Sequence, residues 1–570
     1  MKIGSFTFVL HSHLPYVLSH GSWPHGTDWL NEATAETYLP LLDTLENLVN
    51  QGISPKLTIG ITPILSEQLN DDNFKDAFVD YLENKIKSAL ADDKEFKELA
   101  KFWQNFYTRL KINFEEKYHR DLIGAFRRLQ DEGYIEIISC AATHGYLPLL
   151  SKDTSVQSQI KQGIKTYERY FGKRPKGFWL PECAYRPRYA WQSPLQVVSE
   201  EKSELRKGTD EFLSENEIDY FIVDSHLLKG GKAIGIYLDR FEALKKLWGR
   251  FAQEYQPRPE EIEKMPYEVY LVNSGSEEKK PVTIFSRDPK TGLQVWSGEW
   301  GYPGDSWYLD FHKKHFPGGH RYWRVTGPKS DLGEKLIYQP EKVEERLQEN
   351  ATHFVNLVKS ILVEHYEKTQ KAGILCAPFD AELFGHWWFE GPRWLNLVMK
   401  QISLDEEIEL VTCSTFLKTV PATTVVSLPE GSWGEGGFHY IWLNEETKWT
   451  WKYVYQAEQE MEELLKDFGN NSDEKLTDIL RQCARELLLL QSSDWQFLIS
   501  TWSARDYAEM RFLEHYESFL RLANMARNYK EKRLVDPEDW TFLGDCEKRD
   551  SIFPDLELHW FKEIEFPIIP

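Results

Sequence analysis

The sequence predicts an α/β fold built around a β/α barrel, and three observations lead to this prediction. First, short and continuously apolar segments recur along the chain, as expected for parallel strands buried on both faces. Second, helical patterns alternate with these segments, which is typical of βα units. Third, polar or titratable residues directly follow the apolar segments, and the carboxyl ends of barrel strands converge on one face. A barrel with a functional site at that face explains all three.

The predicted strands are spread over the first 412 residues. They are Lys2–Leu10, Leu57–Ile61, Tyr134–Ser139, Gly177–Leu180, Tyr220–Val223, Val282–Phe285, Gly292–Trp296, Ile374–Ala377 and Ile408–Thr412. Helical spacing of apolar residues predicts a helix over Pro340–Lys371, with Gly373 as its left-handed cap. The side chains expected at the barrel mouth follow six of the strands: His11, His13, His144, Glu182, Asp224, His226, Trp300 and Asp380.

Two regions depart from the βα rhythm. Residues 71–128 are charged and helical in pattern, which predicts a helical insertion. Past about Pro421, a stretch rich in Gly and Trp leads into helical patterns over 452–468, 474–492 and 504–530. We therefore expect a catalytic barrel over residues 1–420 and a C-terminal helical domain over 421–570 that contributes tryptophans to the cleft.

Composition narrows the possible partners. The 570 residues carry a formal net charge of −22 and are 14% aromatic. The acidic balance argues against nucleic acid and anionic membrane surfaces, and the aromatic content argues against disorder. We find neither an apolar run of membrane length nor a signal-peptide pattern, and the six cysteines show no paired spacing. These features predict a cytoplasmic monomer or small homo-oligomer that handles uncharged polar ligands.

Two carboxylates are candidates for catalysis. Glu182 lies in WLPECAYRP and Asp380 in CAPFDAELFGHWW, each just past a strand. Apolar surroundings raise the pKa of a carboxyl group, as proton donation to a glycosidic oxygen requires. Two carboxylates at one barrel mouth suit glycoside chemistry. The alternatives are an ion pair of Glu182 with Arg186 or Arg188, and a helix N-cap role for Asp380.

Aromatic side chains in loops are candidates for contact with a sugar. Sugars present C–H faces that stack on electron-rich rings. Most tryptophans pack the core, but five lie in loops rich in Gly or Pro, where we expect contact with sugar: Trp23, Trp29, Trp300, Trp433 and Trp442.

The sequence resembles glycoside hydrolase family 57, and within it the 1,4-α-glucan branching enzymes. The matching segments are HSHLPY, ATHGYLPLL, WLPECAYRP, VDSHLL, WSGEWGYPGD and FDAELFGHWWFEGP, and a tail that begins at SWGEGG is also similar. The resemblance implies an incomplete seven-stranded barrel, a helical insertion, a C-terminal helical domain and a retaining mechanism. It implies no metal and no other cofactor.

The resemblance also suggests individual roles. Glu182 matches the nucleophile and Asp380 the general acid/base. The positions that match sugar-contacting residues of the family are His11, His13, His144, Tyr237, Trp300, Trp433 and Trp442. From their places in a loop or after a strand, we also expect Trp29, Asp224 and His226 to contact the α-1,4-glucan donor or acceptor. Trp296 competes with Trp300 for its role. Tyr237 lies in a loop with Gly230, Gly231 and Gly235 that we interpret as a lid over the intermediate.

Several alternatives remain open at this stage. An α-amylase or a 4-α-glucanotransferase would use the same carboxylates with another acceptor. A metal-dependent barrel hydrolase or deacetylase would use His11, His13, His144, Asp224, His226 and Asp380 as ligands or bases. A non-catalytic glucan-binding protein on the same fold would not need both carboxylates.

Overall fold

Seven parallel strands form the central sheet of the computed structural model. The model describes residues 2–195, 204–229, 264–275, 280–298, 300–327, 329–468, 472–532 and 535–565. The strands are β1 (Gly4–Ser12), β2 (Leu57–Ile61), β3 (Ile135–Cys140), β4 (Gly177–Trp179), β5 (Tyr220–Val223), β6 (Val282–Ser286) and β7 (Gly373–Asp380). They lie in the order β7-β1-β2-β3-β4-β5-β6. The last strand therefore pairs with the first, and the sheet curls toward closure.

The curled sheet closes incompletely between β6 and β7. One bridge joins Arg287, just after β6, to Cys376 of β7. By contrast, β1 pairs with the whole of β7 through its residues from Gly4 to His11, and every residue of β1 is buried. This confirms the predicted incomplete seven-stranded barrel with strands buried on both faces.

Five further short strands lie outside this set. Tyr270–Val272, Ile408–Leu410 and Val425–Val426 extend the same sheet, and Tyr189–Trp191 pairs with Glu204–Arg206.

Two local predictions are wrong. Gly292–Trp296 is not a strand but the end of helix Pro289–Trp296, because the Asp288 side chain accepts from Thr291 N–H and Pro289 opens the helix. Gly373 is not a helix cap but the first residue of β7, where a Cβ would lie 2.6 Å from the ring of His365. The preceding helix, Val343–Thr369, ends instead at Gln370, whose φ is 58°.

Helices pack around the sheet and fill the segment between β2 and β3, where an insertion is predicted. In the described ranges up to residue 420, the α-helices are Thr27–Ala33, Leu39–Asn50, Pro63–Asn70, Asp72–Ala91, Asp93–Phe96, Glu98–Ile112, Leu122–Asp131, Asp153–Phe171, Thr209–Glu215, Ser225–Lys229, Pro289–Trp296, Val343–Thr369, Gly391–Ser403 and Cys413–Thr419.

The C-terminal part of the chain is helical and docks on the barrel mouth. Its α-helices are Lys448–Phe468, Glu474–Leu490, Asp494–Thr501, Arg505–Lys532 and Pro537–Arg549. Ser493 N–H donates to the carbonyl of His144 at 3.1 Å, just past β3. The sequence patterns predict three of these helices and miss Asp494–Thr501 and Pro537–Arg549. Among the described residues, no helix has the length and apolar character needed to cross a membrane.

All six cysteines fall within the described residues. Each is buried and carries a free thiol, in agreement with the unpaired spacing in the sequence.

Candidate active site

The carboxyl ends of β1, β3, β4 and β7 bring the candidate residues together. His11 lies opposite Asp380 in the register of β1 and β7. Glu182 follows β4 in the short 3₁₀ turn Pro181–Cys183. The charges of Asp380 and Glu182 act on each other across the mouth. The parallel sheet therefore joins two carboxylates that are remote in the sequence.

Glu182 is held in an unusual backbone conformation. Its φ is 60° and that of Cys183 is 48°, a left-handed region that non-glycine residues rarely adopt except where the surrounding structure enforces it. Trp433 enforces it from the C-terminal side: its Nε1 donates to Glu182 Oε2 at 2.8 Å, and its backbone N–H donates to the Glu182 carbonyl at 3.1 Å. Trp433 thus fixes the orientation of the candidate nucleophile, Glu182, through two hydrogen bonds.

Neither structural alternative for the two carboxylates is supported. Arg186 lies 3.6 Å from Asp153 and Arg188 lies 3.6 Å from Glu211, so both arginines are directed at other acids. Asp380 precedes a 3₁₀ turn, but its side chain does not cap that turn.

Burial and neighbouring charges disfavour the ionised form of Glu182. Burial is the main cause that raises its pKa to about 8; the Trp433 hydrogen bond opposes this rise, and the charges of Asp380 and Asp494 add to it. Two like charges in a buried site cannot both ionise cheaply. The raised pKa of Glu182 therefore favours one retained proton in the Glu182–Asp380 pair near neutral pH.

Three histidines line the mouth beside this pair. His11 Nε2 lies 3.0 Å from His144 Nε2, and the rings of His13 and His144 stack with centroids 3.9 Å apart. His144 also has a positive φ, 59°. Burial is the main cause that lowers the pKa values of His11 and His144. Both imidazoles are therefore neutral, which suits hydrogen bonding to hydroxyl groups.

Sequence reasoning missed two acids at the site. Asp494 opens a C-terminal helix and its Oδ2 lies 2.9 Å from His13 Nε2. Burial acts to raise the pKa of Asp494, but His13 is the leading cause that outweighs it and lowers the pKa. Glu382 Oε1 accepts from Tyr38 Oη at 2.5 Å and from His13 N–H at 3.0 Å. Burial raises its pKa to about 8.

The two missed acids differ in how they could have been found. Glu382 lies two residues after Asp380 in the same motif, so the motif was a usable signal. Asp494 follows no strand, and only the docking of its helix places it at the site.

Asp224 and His226 form a separate ion cluster at the mouth. Arg287 Nη1 donates to Asp224 Oδ2 at 3.1 Å, and His226 Nδ1 lies 3.3 Å from Asp224 Oδ1. Burial opposes ionisation, but Arg287 and then His226 outweigh it and lower the pKa of Asp224 to about 2. His226 Nε2 lies 3.1 Å from the Gly437 carbonyl, so the cluster anchors the loop that carries Trp433.

The predicted glucan-contacting aromatics occupy different environments. Trp433 packs edge-on against Trp179 at 5.1 Å and is almost fully buried. Trp442 is 1% exposed and stacks on Tyr146 at 4.4 Å, so its ring supports the wall of the site from behind.

The other aromatic candidates range from buried to exposed. Trp296 is buried, Trp300 is 76% exposed and Trp29 is half-buried. Contact of Trp29, Trp300, Trp433 and Trp442 with sugar stays a prediction. Tyr237 lies outside the described residues.

Two groups at the mouth could in principle hold a metal ion. Possible ligand atoms lie within 4.8 Å of one another in His11, Cys140 and His144, and in His13, His144 and Asp494. Within the described ranges, neither group includes Asp224, His226 or Asp380, so the ligand set of a barrel metallohydrolase does not assemble as predicted.

Comparisons with known proteins find matches to both parts of the chain. The model of the family described as glycosyl hydrolase family 57 matches residues 7–429, and the model described as 1,4-alpha-glucan branching enzyme, C-terminal, matches residues 453–561. The chain is 42% identical over 553 residues to a 1,4-alpha-glucan branching enzyme of Thermococcus kodakarensis, covering 96% of this chain and 77% of the relative.

Solved structures are similar over the whole chain. A branching enzyme from Pyrococcus horikoshii is 41% identical with a TM-score of 0.87, covering 100% of this chain and 98% of that one. An α-amylase from Thermotoga maritima is 28% identical with a TM-score of 0.79, covering 99% of this chain and 100% of that one.

Proposed function

The chain belongs to glycosyl hydrolase family 57, and on that premise we propose that it is a 1,4-α-glucan branching enzyme that acts through Glu182 and Asp380. The observation that carries the proposal is a pair of half-buried carboxylates just past strands β4 and β7, with Asp494 of the C-terminal helices acting on the same site. Those helices match the family model of branching-enzyme C-terminal domains.

The first half of the reaction cleaves the donor chain. Glu182 attacks the anomeric carbon and forms a covalent ester to it, while the α-1,4 C–O bond breaks. The electron pair of that bond leaves with the glycosidic oxygen, which takes the proton of Asp380. Positive charge that develops at the anomeric carbon favours the anion at Glu182, so the shared proton is on Asp380 when the bond breaks.

The second half transfers the chain. Asp380, now a carboxylate, accepts the proton of a 6-hydroxyl on an acceptor glucan. That oxygen attacks the anomeric carbon and displaces Glu182, giving an α-1,6 branch. Two inversions at one carbon retain its configuration. Water in place of the 6-hydroxyl would give hydrolysis, so exclusion of water separates a branching enzyme from an amylase.

The surrounding residues prepare this chemistry. Trp433 fixes the rotamer of Glu182 and stabilises its anion through the 2.8 Å hydrogen bond. The neutral rings of His11 and His144 offer hydrogen bonds to sugar hydroxyls without adding charge, and Asp494 orients His13 through its 2.9 Å contact. A preorganised, partly dry site strengthens each of these interactions.

The runner-up is an α-amylase, which the similarity to the Thermotoga maritima structure favours. Incubation of the enzyme with amylose, followed by debranching and chain-length analysis, separates the two. We expect new α-1,6 linkages with little gain in reducing ends. Reducing sugar without branches would refute the branching function, and a Glu182→Gln variant provides the inactive control.

A further inference from the structure

Trp502 combines an exposed ring with an unfavourable backbone conformation. It ends helix Asp494–Thr501 with φ 57° and ψ 20°, and it is 61% exposed. Glycine is the usual residue at such a helix end, because side chains crowd the backbone in the left-handed region. An exposed ring also gains little from burial. Packing therefore does not explain a tryptophan here, and such outliers are often functional.

The ring is held in place from one side. The Arg505 guanidinium lies over it, 4.8 Å from its centroid. Arg505 in turn donates to Glu446 at 2.7 Å and to Glu509 at 2.8 Å. One face is thus covered by a pinned guanidinium, while the exposed area remains available to a ligand. Fixing the ring in advance reduces the entropy that binding must overcome.

The platform is connected rigidly to the active site. The helix that Trp502 ends begins at Asp494, which contacts His13 in the site. Eight residues of helix span about 12 Å, so a chain held in the cleft needs several further glucose units to reach the ring. Ser500 Oγ also donates to the Ile441 carbonyl at 2.5 Å, which ties this end of the helix to the loop before Trp442.

We propose that Trp502 is a stacking platform for an α-1,4-glucan chain outside the catalytic cleft. The proposal rests on the function proposed above and adds a binding site to it. The chemistry favours a neutral sugar, since rings bind the C–H faces of sugars and the charge of Arg505 is balanced by two carboxylates. An anionic ligand would find no net positive charge here.

Affinity electrophoresis in native gels that contain amylose tests the platform, in a Glu182→Gln background so that the glucan is not consumed. We expect Trp502→Gly to raise the dissociation constant for amylose by roughly two- to tenfold, the range that one aromatic contact supports. The dissociation constant for maltotriose, which is too short to reach from cleft to platform, should change much less.

Gln370→Gly is the matched control. Gln370 also ends a helix in the left-handed region, with φ 58°, and is exposed. Both glycine variants relieve the same backbone crowding, so both should melt no lower than the parent, and only Trp502→Gly should lose amylose affinity. Trp502→Phe should keep part of that affinity.

Three outcomes would overturn the proposal. In the first, amylose retards Trp502→Gly as strongly as the parent protein. In the second, the variant loses as much affinity for maltotriose as for amylose. In the third, the parent protein self-associates in sedimentation, and Trp502→Gly abolishes this association while its amylose binding is unchanged. The last outcome would assign the ring to an interface between copies. Failure of the proposed function is distinguishable, because it appears in the wild-type branching assay and not in retardation.

Discussion

Replacing Glu182 by glutamine should stabilise the protein increasingly as the pH rises. Burial raises the pKa of this carboxyl from its ordinary 4.5 to about 8. The folded state therefore keeps a proton that the unfolded chain releases above about pH 4.5, and stability falls with pH between these values. The loss of folding stability caused by ionising Glu182 is absent near pH 4.5 and complete above pH 8. Glutamine keeps the shape and removes the charge.

The size of the stabilisation expected for Glu182→Gln follows from the difference in the pKa of Glu182 between the folded and unfolded states. The 3.5-unit difference between 8 and 4.5 corresponds to at most about 5 kcal/mol. The side chain is 15% exposed, so water relieves part of this, and we expect about 2–4 kcal/mol at pH 8. For a chain of 570 residues, an unfolding entropy of about 2.1 cal/mol/K per residue makes this roughly 2–3 °C in Tm.

Scanning calorimetry of wild type and Glu182→Gln at pH 5 and pH 8 measures the effect. We expect nearly equal melting temperatures at pH 5 and a higher one for the variant at pH 8. Glu116→Gln, on the exposed surface, should show no such pH-dependent gain. If Glu182→Gln is equally or less stable than wild type at pH 8, the carboxyl is not held in a costly buried environment and the proton-sharing argument fails.

Three further predictions concern the same site. Trp433→Phe removes the hydrogen bond that lowers the pKa of Glu182, so the acidic limb of the kcat/KM profile should move up by about one pH unit; an unmoved limb would contradict this. Asp494→Asn removes the charged partner of His13 and should lower kcat/KM on amylose by about tenfold to a hundredfold, whereas wild-type activity would show that Asp494 has no positioning role. Dialysis against EDTA should leave activity intact, and stoichiometric zinc whose removal abolishes activity would restore the metallohydrolase alternative.

Much of the fold could be predicted because barrel strands carry a strong local signal. β1 and β7 read as continuous apolar runs, and both are buried except at Asp380, the half-buried last residue of β7. The strand prediction for Gly292–Trp296 is wrong because its valine and tryptophan favour strands. Asp288 and Pro289 lie just before that segment and start a helix there instead, since Asp288 supplies the N-cap and Pro289 a φ already suited to a helix.

The site was predictable only where function coincides with strand ends. Glu182 and Asp380 each follow a strand, so barrel geometry alone brings them together. Asp494 could not be found this way, because it reaches His13 through the docking of a C-terminal helix. The burial of Trp442 against Tyr146 is likewise a tertiary result that loop composition does not reveal.

Trapping the covalent intermediate tests the central claim most directly. In an Asp380→Asn variant, α-maltotriosyl fluoride can glycosylate the nucleophile without acid assistance, because fluoride leaves unprotonated, whereas the missing base slows release. Mass spectrometry of the digested protein should then find a maltotriosyl adduct on the peptide that contains Glu182. An adduct on any other residue, with Glu182 unmodified, would contradict the assignment of Glu182 as the nucleophile.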